Sequence, residues 1–377
     1  MTKRTQTAPN GQGSKDRSMK GLKIAIALLV IVFIAEAIGG FFYISSKAGK
    51  ADSGTGTTTE NPAPTDKSKG TSSSDRIVMT INGSHDTYVL RGEQYVEGGC
   101  HAVDLDEGDI TANIEIKGSV NADKEGDYTI TYTATNSQKQ SASCERTVHV
   151  VNDMATNTVG VPVLMYHYVY TANDMPDELD ANFIEDVELE EQLQYLTSNN
   201  YYYPSYQELS EYIAGRHSLP EKSVFLTFDD GEGGFLDYGV PLLEKYGVFA
   251  TSFLVTWDNA GPCTSRPSPY ITYQTHSEDM HRGGGNIGHG GRISAMSQQE
   301  IYDDLKMSTD KLGAKEAFAY PFGDHTDTAS AAIRELGILC AFTTEYGLVN
   351  VGDDPTALCR IRVTGGAGLD RYVGSLS

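Results

Sequence analysis

Ser223-Val-Phe-Leu-Thr-Phe-Asp-Asp-Gly231 is a short apolar run that ends on two adjacent carboxylates and a glycine. An apolar run of this length, closed by a turn signal, reads as a buried strand. Further runs of the same kind are Val161-Pro-Val-Leu-Met-Tyr166, Ala250-Thr-Ser-Phe-Leu-Val255, Tyr270-Ile-Thr-Tyr-Gln274, Ala317-Phe-Ala-Tyr320, Cys340-Ala-Phe-Thr-Thr344 and Cys359-Arg-Ile-Arg-Val363. Helical patterns fall between them, near 187–199, 205–215, 235–246, 297–312 and 327–336. Ser205-Tyr-Gln-Glu208 and Ser297-Gln-Gln-Glu300 have the form of capping boxes and mark two helix starts. Alternating β and α at this spacing predicts an α/β fold with parallel strands, in an open sheet or a barrel. This region, 159–377, is the candidate catalytic domain.

Upstream the pattern changes. From 76 to 152 the sequence reads as all-β: Arg76-Ile-Val-Met-Thr-Ile81, Tyr128-Thr-Ile-Thr-Tyr-Thr-Ala134 and Arg146-Thr-Val-His-Val-Val151 alternate with period two. Short strands with Gly, Asn and Asp between them predict a small sandwich. Gly99-Cys-His-Ala-Val-Asp104, Glu107-Gly-Asp-Ile-Thr111 and Gly126-Asp-Tyr-Thr-Ile-Thr-Tyr132 give the segment a resemblance to a bacterial immunoglobulin-like repeat of cell-surface proteins. That resemblance implies a spacer or adhesion module without catalysis.

Residues 46–75 are Ser, Thr, Gly, Pro and Lys with almost nothing apolar, a composition that predicts a flexible tether. Before it, Ile24 to Ile44 reads IAIALLVIVFIAEAIGGFFYI, long enough to cross a bilayer as a helix. Lys3, Arg4, Lys15, Arg17, Lys20 and Lys23 precede this run. The positive-inside rule then predicts a cytoplasmic tail at 1–23, a transmembrane anchor at 24–45 and everything later outside the cell. Ala35-Glu36-Ala37 also has the small-x-small form of a cleavage site, so a cleaved signal peptide is the alternative. Both readings make the rest of the chain extracellular. Asp+Glu total 51 against 29 Lys+Arg, a net charge of −22. Such acidity argues against nucleic acid as a partner. Of five cysteines, Cys100 with Cys144 and Cys340 with Cys359 are candidate disulfides, leaving Cys263 over; buried thiols are the alternative.

Asp229 and Asp230 follow a strand, at the end where parallel α/β folds place their sites. An isolated Asp-Asp-Gly is usually a solvated turn. Thr275-His-Ser-Glu-Asp-Met-His281 changes that balance, because His276 and His281 also follow a strand-like run. Two histidines and one carboxylate form an open coordination set for a catalytic divalent ion. Residues five apart do not share a helix face, so the spacing suits a loop wrapped around an ion. Glu278 and Asp279, between them, are candidates to support the ligands from behind.

Together with these motifs, Pro162-Val-Leu-Met-Tyr-His167, Leu219-Pro-Glu-Lys-Ser-Val-Phe-Leu-Thr-Phe228 and Phe318-Ala-Tyr-Pro-Phe-Gly323 carry a clear resemblance. Residues 159–365 resemble the polysaccharide deacetylase family, also called the NodB-homology or carbohydrate esterase family 4 domain. The Tyr-His opening and the His-x4-His spacing are most similar to its poly-N-acetylglucosamine deacetylases. The resemblance implies a distorted (β/α) barrel and metal-dependent removal of acetyl groups from N-acetylated sugars in a polysaccharide. It implies Asp230, His276 and His281 as ligands of one divalent ion, usually zinc, and Asp229 as general base. Tyr320 and Pro321 match groove-lining substrate-binding positions, and an oxyanion-binding N–H is expected near Tyr320.

The chain departs from the family in two places. Many members orient the base with an arginine just before the position of Tyr320; here that residue is Ala319, and Arg360 or Arg362 is the candidate replacement. Members often carry a late histidine as general acid, yet no histidine follows His325. His167 is the first candidate for that role, ahead of His325 and His289, although a structural histidine is the blander reading. The loop Gly283-Gly-Gly-Asn-Ile-Gly-His-Gly-Gly291 lacks a Lys-Ser/Thr ending, so it predicts a flexible flank of the site and no nucleotide. Tyr201-Tyr-Tyr203 reads as core packing before sugar stacking.

Overall fold

The computed structural model describes residues 75–376. The expected tail, anchor and nearly all of the tether, residues 1–74, lie outside the described residues. Among the described residues no helix is long and apolar enough to cross a membrane.

The first folded part is a sandwich. One sheet runs β1 (Ile77–Ile81), β3 (Cys100–Asp104), β4 (Gly108–Asp109); the other runs β2 (Asp86–Leu90), β7 (Ser141–Val151), β6 (Gly126–Thr135), β5 (Glu115–Lys117). The period-two alternation faces Ile77, Met79 and Ile81 of β1 and Ile130, Tyr132 and Ala134 of β6 into one core. Cys100 and Cys144 face each other there as thiols, with sulfurs 3.6 Å apart. The second expected pair does not meet. The Cys340 thiol points at the Tyr206 carbonyl, 3.8 Å away, while Cys359 packs against Gly347.

The second part is a closed barrel of parallel strands. Its order is β11 (Phe225–Phe228), β12 (Ala250–Leu254), β13 (Ile271–Thr275), β14 (Ala317–Ala319), β15 (Cys340–Tyr346), β16 (Leu358–Arg362) and β8 (Val163–Tyr166). A small parallel pair, β9 (Tyr168–Tyr170) with β10 (Phe183–Glu185), lies beyond β8. Each barrel strand corresponds to one of the apolar runs. The helices Tyr206–Ile213 and Gln298–Leu312 both begin on the expected capping boxes, where Ser205 and Ser297 accept the N–H of Glu208 and Glu300. Tyr202 and Tyr203 are buried, so the tyrosine run is core.

The sandwich is fastened to the barrel. The Ser84 N–H donates to the Tyr203 carbonyl at 2.8 Å, and Thr80 Oγ1 donates to the Ser268 carbonyl at 2.7 Å. Ser218 Oγ donates to Glu93 at 2.7 Å, and the His101 ring meets Glu316 at 3.3 Å. His85 packs edge-on against Phe249. Phe249, Ser268 and Glu316 all precede barrel strands, so the sandwich covers the N-terminal mouth of the barrel. Backbones approach closely: a Cβ on Gly83 would stand 2.7 Å from the Ser205 nitrogen.

Candidate active site

Every chemical group of interest lies at the opposite, C-terminal mouth. His167 follows β8, Asp229 and Asp230 follow β11, His276 follows β13, and Tyr320 follows β14. Parallel strands end there with side chains converging on the axis, which is why residues distant in sequence meet.

Asp230, His276 and His281 offer ligand atoms that all lie within 4.8 Å of one another. Asp230 Oδ1 is 3.4 Å from His276 Nε2 and 3.3 Å from His281 Nε2. Metal–ligand bonds of about 2.0–2.1 Å in a tetrahedron put ligand atoms about 3.3–3.4 Å apart, so the three fit one small divalent ion. The same oxygen is buried without a hydrogen-bond partner, an arrangement that an ion would relieve. His276 Nδ1 lies 2.7 Å from the Ala319 carbonyl, which makes it the donor there and leaves Nε2 as the free lone pair. Tyr168 donates to the second oxygen of Asp230 at 2.9 Å, a support that sequence reading missed. Burial opposes the Asp230 charge, but the facing histidines hold its carboxyl well below the usual range.

Asp229 is buried and held by Arg360 from β16. The guanidinium donates from Nη1 to Oδ1 at 2.8 Å and from Nη2 to Oδ2 at 2.7 Å. It also donates to the Thr343 carbonyl and to Thr227 Oγ1. Of the two candidate arginines, Arg360 therefore replaces the one missing before Tyr320; Arg362 is exposed and bonds Asn182 instead. Burial raises the Asp229 pKa, and Arg360 and His276 more than offset it, leaving the carboxylate ionised. His167 Nε2 lies 4.0 Å from Asp229 Oδ2. Burial lowers its pKa more than the two aspartates raise it.

Several expectations are corrected. Tyr320 does not line the groove: it is buried, and its hydroxyl donates to the Thr356 carbonyl at 2.8 Å. Its N–H is taken by the Phe342 carbonyl at 2.9 Å, so it is no oxyanion donor. Pro321 is buried too. The exposed ring at this position is the next residue, Phe322, stacked on His281 at 4.7 Å. Glu278 and Asp279 turn away from the ligands, toward Thr256 and Lys311 and toward Arg292 respectively. Asp304 instead pins their N–H groups, at 2.8 and 3.0 Å. The glycine-rich loop is wrapped on a buried carboxylate: Asp324 accepts the N–H of His289 and of Gly291, and a Cβ on Gly288 would overlap it. His289 contacts the Phe322 carbonyl and His325 contacts Ser330, away from Asp229.

Residues 216–341 match the family model described as polysaccharide deacetylase, and residues 79–150 match that of a bacterial surface protein Ig-like domain. The chain carries a polysaccharide deacetylase domain behind a bacterial surface immunoglobulin-like domain. It is thus a hydrolase of carbon–nitrogen bonds other than peptide bonds. The poly-β-1,6-N-acetyl-D-glucosamine N-deacetylase of Staphylococcus epidermidis is 26% identical over 231 residues, covering 54% of this chain and 79% of that protein. Its namesake in Staphylococcus aureus strain MRSA252 is 24% identical over 228 residues, covering 53% and 78%. The solved structure of the Streptococcus pyogenes deacetylase PplD in complex with acetate has a TM-score of 0.49 at 22% identity, covering 58% of this chain and 99% of that one.

Proposed function

We propose that this deacetylase removes acetyl groups from N-acetylglucosamine residues of a cell-surface polysaccharide, poly-N-acetylglucosamine or peptidoglycan, using one divalent ion, zinc by its ligand set. The observation that carries the reading is the pair of aspartates with separate tasks. Asp230 faces two histidines, while Asp229 is gripped by Arg360 beside them. An inactive relic has no reason to keep a buried, fully paired base next to an intact ligand set.

An ion held by Asp230, His276 and His281 supplies Lewis-acid polarisation at the acetamide carbonyl. Asp229, fixed in its ionised form, takes a proton from the attacking water. His167 is neutral at rest because of its burial, so we assign it as a relay. It receives a proton at the Asp229 side and delivers it to the departing amine. Phe322 and the open side of His281 form the wall against which the sugar lies.

The basic residues before Ile24 and the acidic, tethered remainder support an extracellular enzyme held by a membrane anchor. Protease added to intact cells should then release the folded part; protection until lysis would contradict this topology. Acetate release from a panel of poly-N-acetylglucosamine, peptidoglycan and chitin fragments tests the activity and ranks the polymers. Release from none of them, with metal bound, would overturn the reading.

A further inference from the structure

Aromatic exposure is concentrated at the catalytic mouth. Among the described residues, the exposed aromatic side chains are Tyr88 on the sandwich and Trp257, Phe322 and Tyr346 on the barrel. All three barrel rings follow or end a barrel strand on its C-terminal side: Trp257 after β12, Phe322 after β14, and Tyr346 at the end of β15.

Trp257 is 65% exposed, yet its backbone is fixed. It lies in the single turn Thr256–Asn259. Its N–H donates to the Glu278 carbonyl at 3.0 Å, and Asn259 Nδ2 donates to the Gly231 carbonyl at 2.6 Å. The turn is thereby clamped between the two loops that carry the metal ligands, with the indole outside. Tyr346 is 76% exposed and walls a pocket of about 360 Å³ together with Arg362, Thr364 and Arg371. In the strand order, β12 and β15 are separated by β13 and β14 one way and by β16, β8 and β11 the other. The two rings therefore stand on opposite sides of the mouth, with the catalytic centre between them.

A pyranose has apolar C–H faces and a hydroxylated rim. A rigid, fixed aromatic ring suits the face, and planar guanidinium donors suit the rim and the acetamide oxygen. We propose that Trp257 and Tyr346 are sugar-stacking platforms flanking the catalytic centre, so that the polysaccharide lies across the mouth and residues inside the chain are the ones deacetylated. This rests on the deacetylase reading above. The ligand at both platforms is a hexosamine residue of the same polymer.

Trp257 is the single tryptophan of the 377-residue chain, so its emission reports this one position. The full-length protein is titrated with N-acetylglucosamine and with its β-1,6-linked pentamer, and acetate release is followed in parallel. The pentamer should change the emission saturably, and the monosaccharide should not. Trp257→Ala and Tyr346→Ala should each raise KM for the pentamer roughly 2- to 10-fold more than for the dimer. Both side chains are exposed, so neither change threatens the fold. Emission that stays constant while the pentamer saturates acetate release would overturn the proposal. So would an equal rise in KM for dimer and pentamer. If the emission responds but no glycan yields acetate, the deacetylase reading falls and the glycan groove stands.

Discussion

Of the five described non-glycine residues with positive φ, three belong to this mouth: Asp230 at 72°, Ser277 at 87° and Phe322 at 61°. Such backbone costs of order 1–3 kcal/mol each and persists where the surroundings enforce it. At Asp230 the left-handed turn separates two successive carboxylates, one toward the histidines and one toward Arg360. The tasks separate accordingly. Asp229→Asn should leave metal content unchanged and lower acetate release about 10²- to 10⁴-fold, the usual range for a general base. Asp230→Asn, or His276→Ala with His281→Ala, should instead lose the bound ion, read as metal per chain after dialysis. Wild-type acetate release by Asp229→Asn would refute the mechanism. Arg360→Met strands a buried carboxylate, which should cost about 3–5 kcal/mol in denaturant unfolding. Adding Asp229→Asn to that variant should restore part of the stability, because the stranded charge is gone. A double variant no more stable than Arg360→Met would mean that Arg360 acts through packing alone.

At the scale of elements, the site is a set of strand ends plus the turn that carries the histidines. That turn is anchored from behind by the helix Gln298–Leu312, whose Asp304 accepts two successive N–H groups and whose Lys311 meets Glu278. Asp304→Asn replaces one acceptor oxygen with an NH₂ that faces an N–H donor. It should weaken metal affinity about 10- to 100-fold, the effect typical of supporting residues, while unfolding shows the fold intact. Unaltered affinity would show that the turn holds its shape without Asp304. The strands were legible in the sequence because buried parallel strands read as continuous apolar runs, and helix starts because Ser-x-x-Glu is a local signal. Asp230, His276 and His281 could be grouped from the sequence because two motifs, each weak alone, supply one candidate coordination set, and the fold brings those three together. Asp229 was legible as the neighbouring carboxylate at the same strand end. Arg360 could only be named beside Arg362: choosing between them needs the inward face of β16, which closure of the barrel decides. Tyr320 and Pro321 were misread because a strand-end motif does not reveal that its tyrosine turns into the core and leaves Phe322 outside. Asp304 and Tyr168 carry no sequence signal, since each acts through contacts made only in the fold.

For the whole molecule, the sandwich is part of the enzyme's architecture. A freely hinged spacer would share few contacts with its neighbour, whereas here backbone hydrogen bonds, a glycine contact and buried polar groups join the two parts. Removing residues 76–152 would expose Tyr203, Phe249 and Tyr270 at the barrel floor, so the truncated barrel should unfold at lower denaturant than the full chain. An equal midpoint would make the sandwich dispensable for folding. The His101–Glu316 pair gives this junction a pH dependence. Burial disfavours the His101 charge, but Glu316 outweighs it and raises the His101 pKa above its ordinary 6.5. Burial likewise opposes Glu316, yet His101 and Gln274 bring it down to about 2. A raised histidine contributes its full stability below pH 6.5 and loses it as pH climbs through the folded value. A depressed carboxylate contributes above its ordinary 4.5 and loses that as pH falls toward 2. The pair is therefore strongest between about pH 4.5 and 6.5 and fades on the alkaline side. Unfolding midpoints measured from about pH 5 to pH 9 should decline as the pH rises through the raised His101 value. His101→Gln should lower the midpoint at pH 5 and flatten that decline, since no proton is then lost at the junction. A His101→Gln profile parallel to the wild type would mean that the alkaline loss arises elsewhere and that the junction is held by its backbone contacts alone.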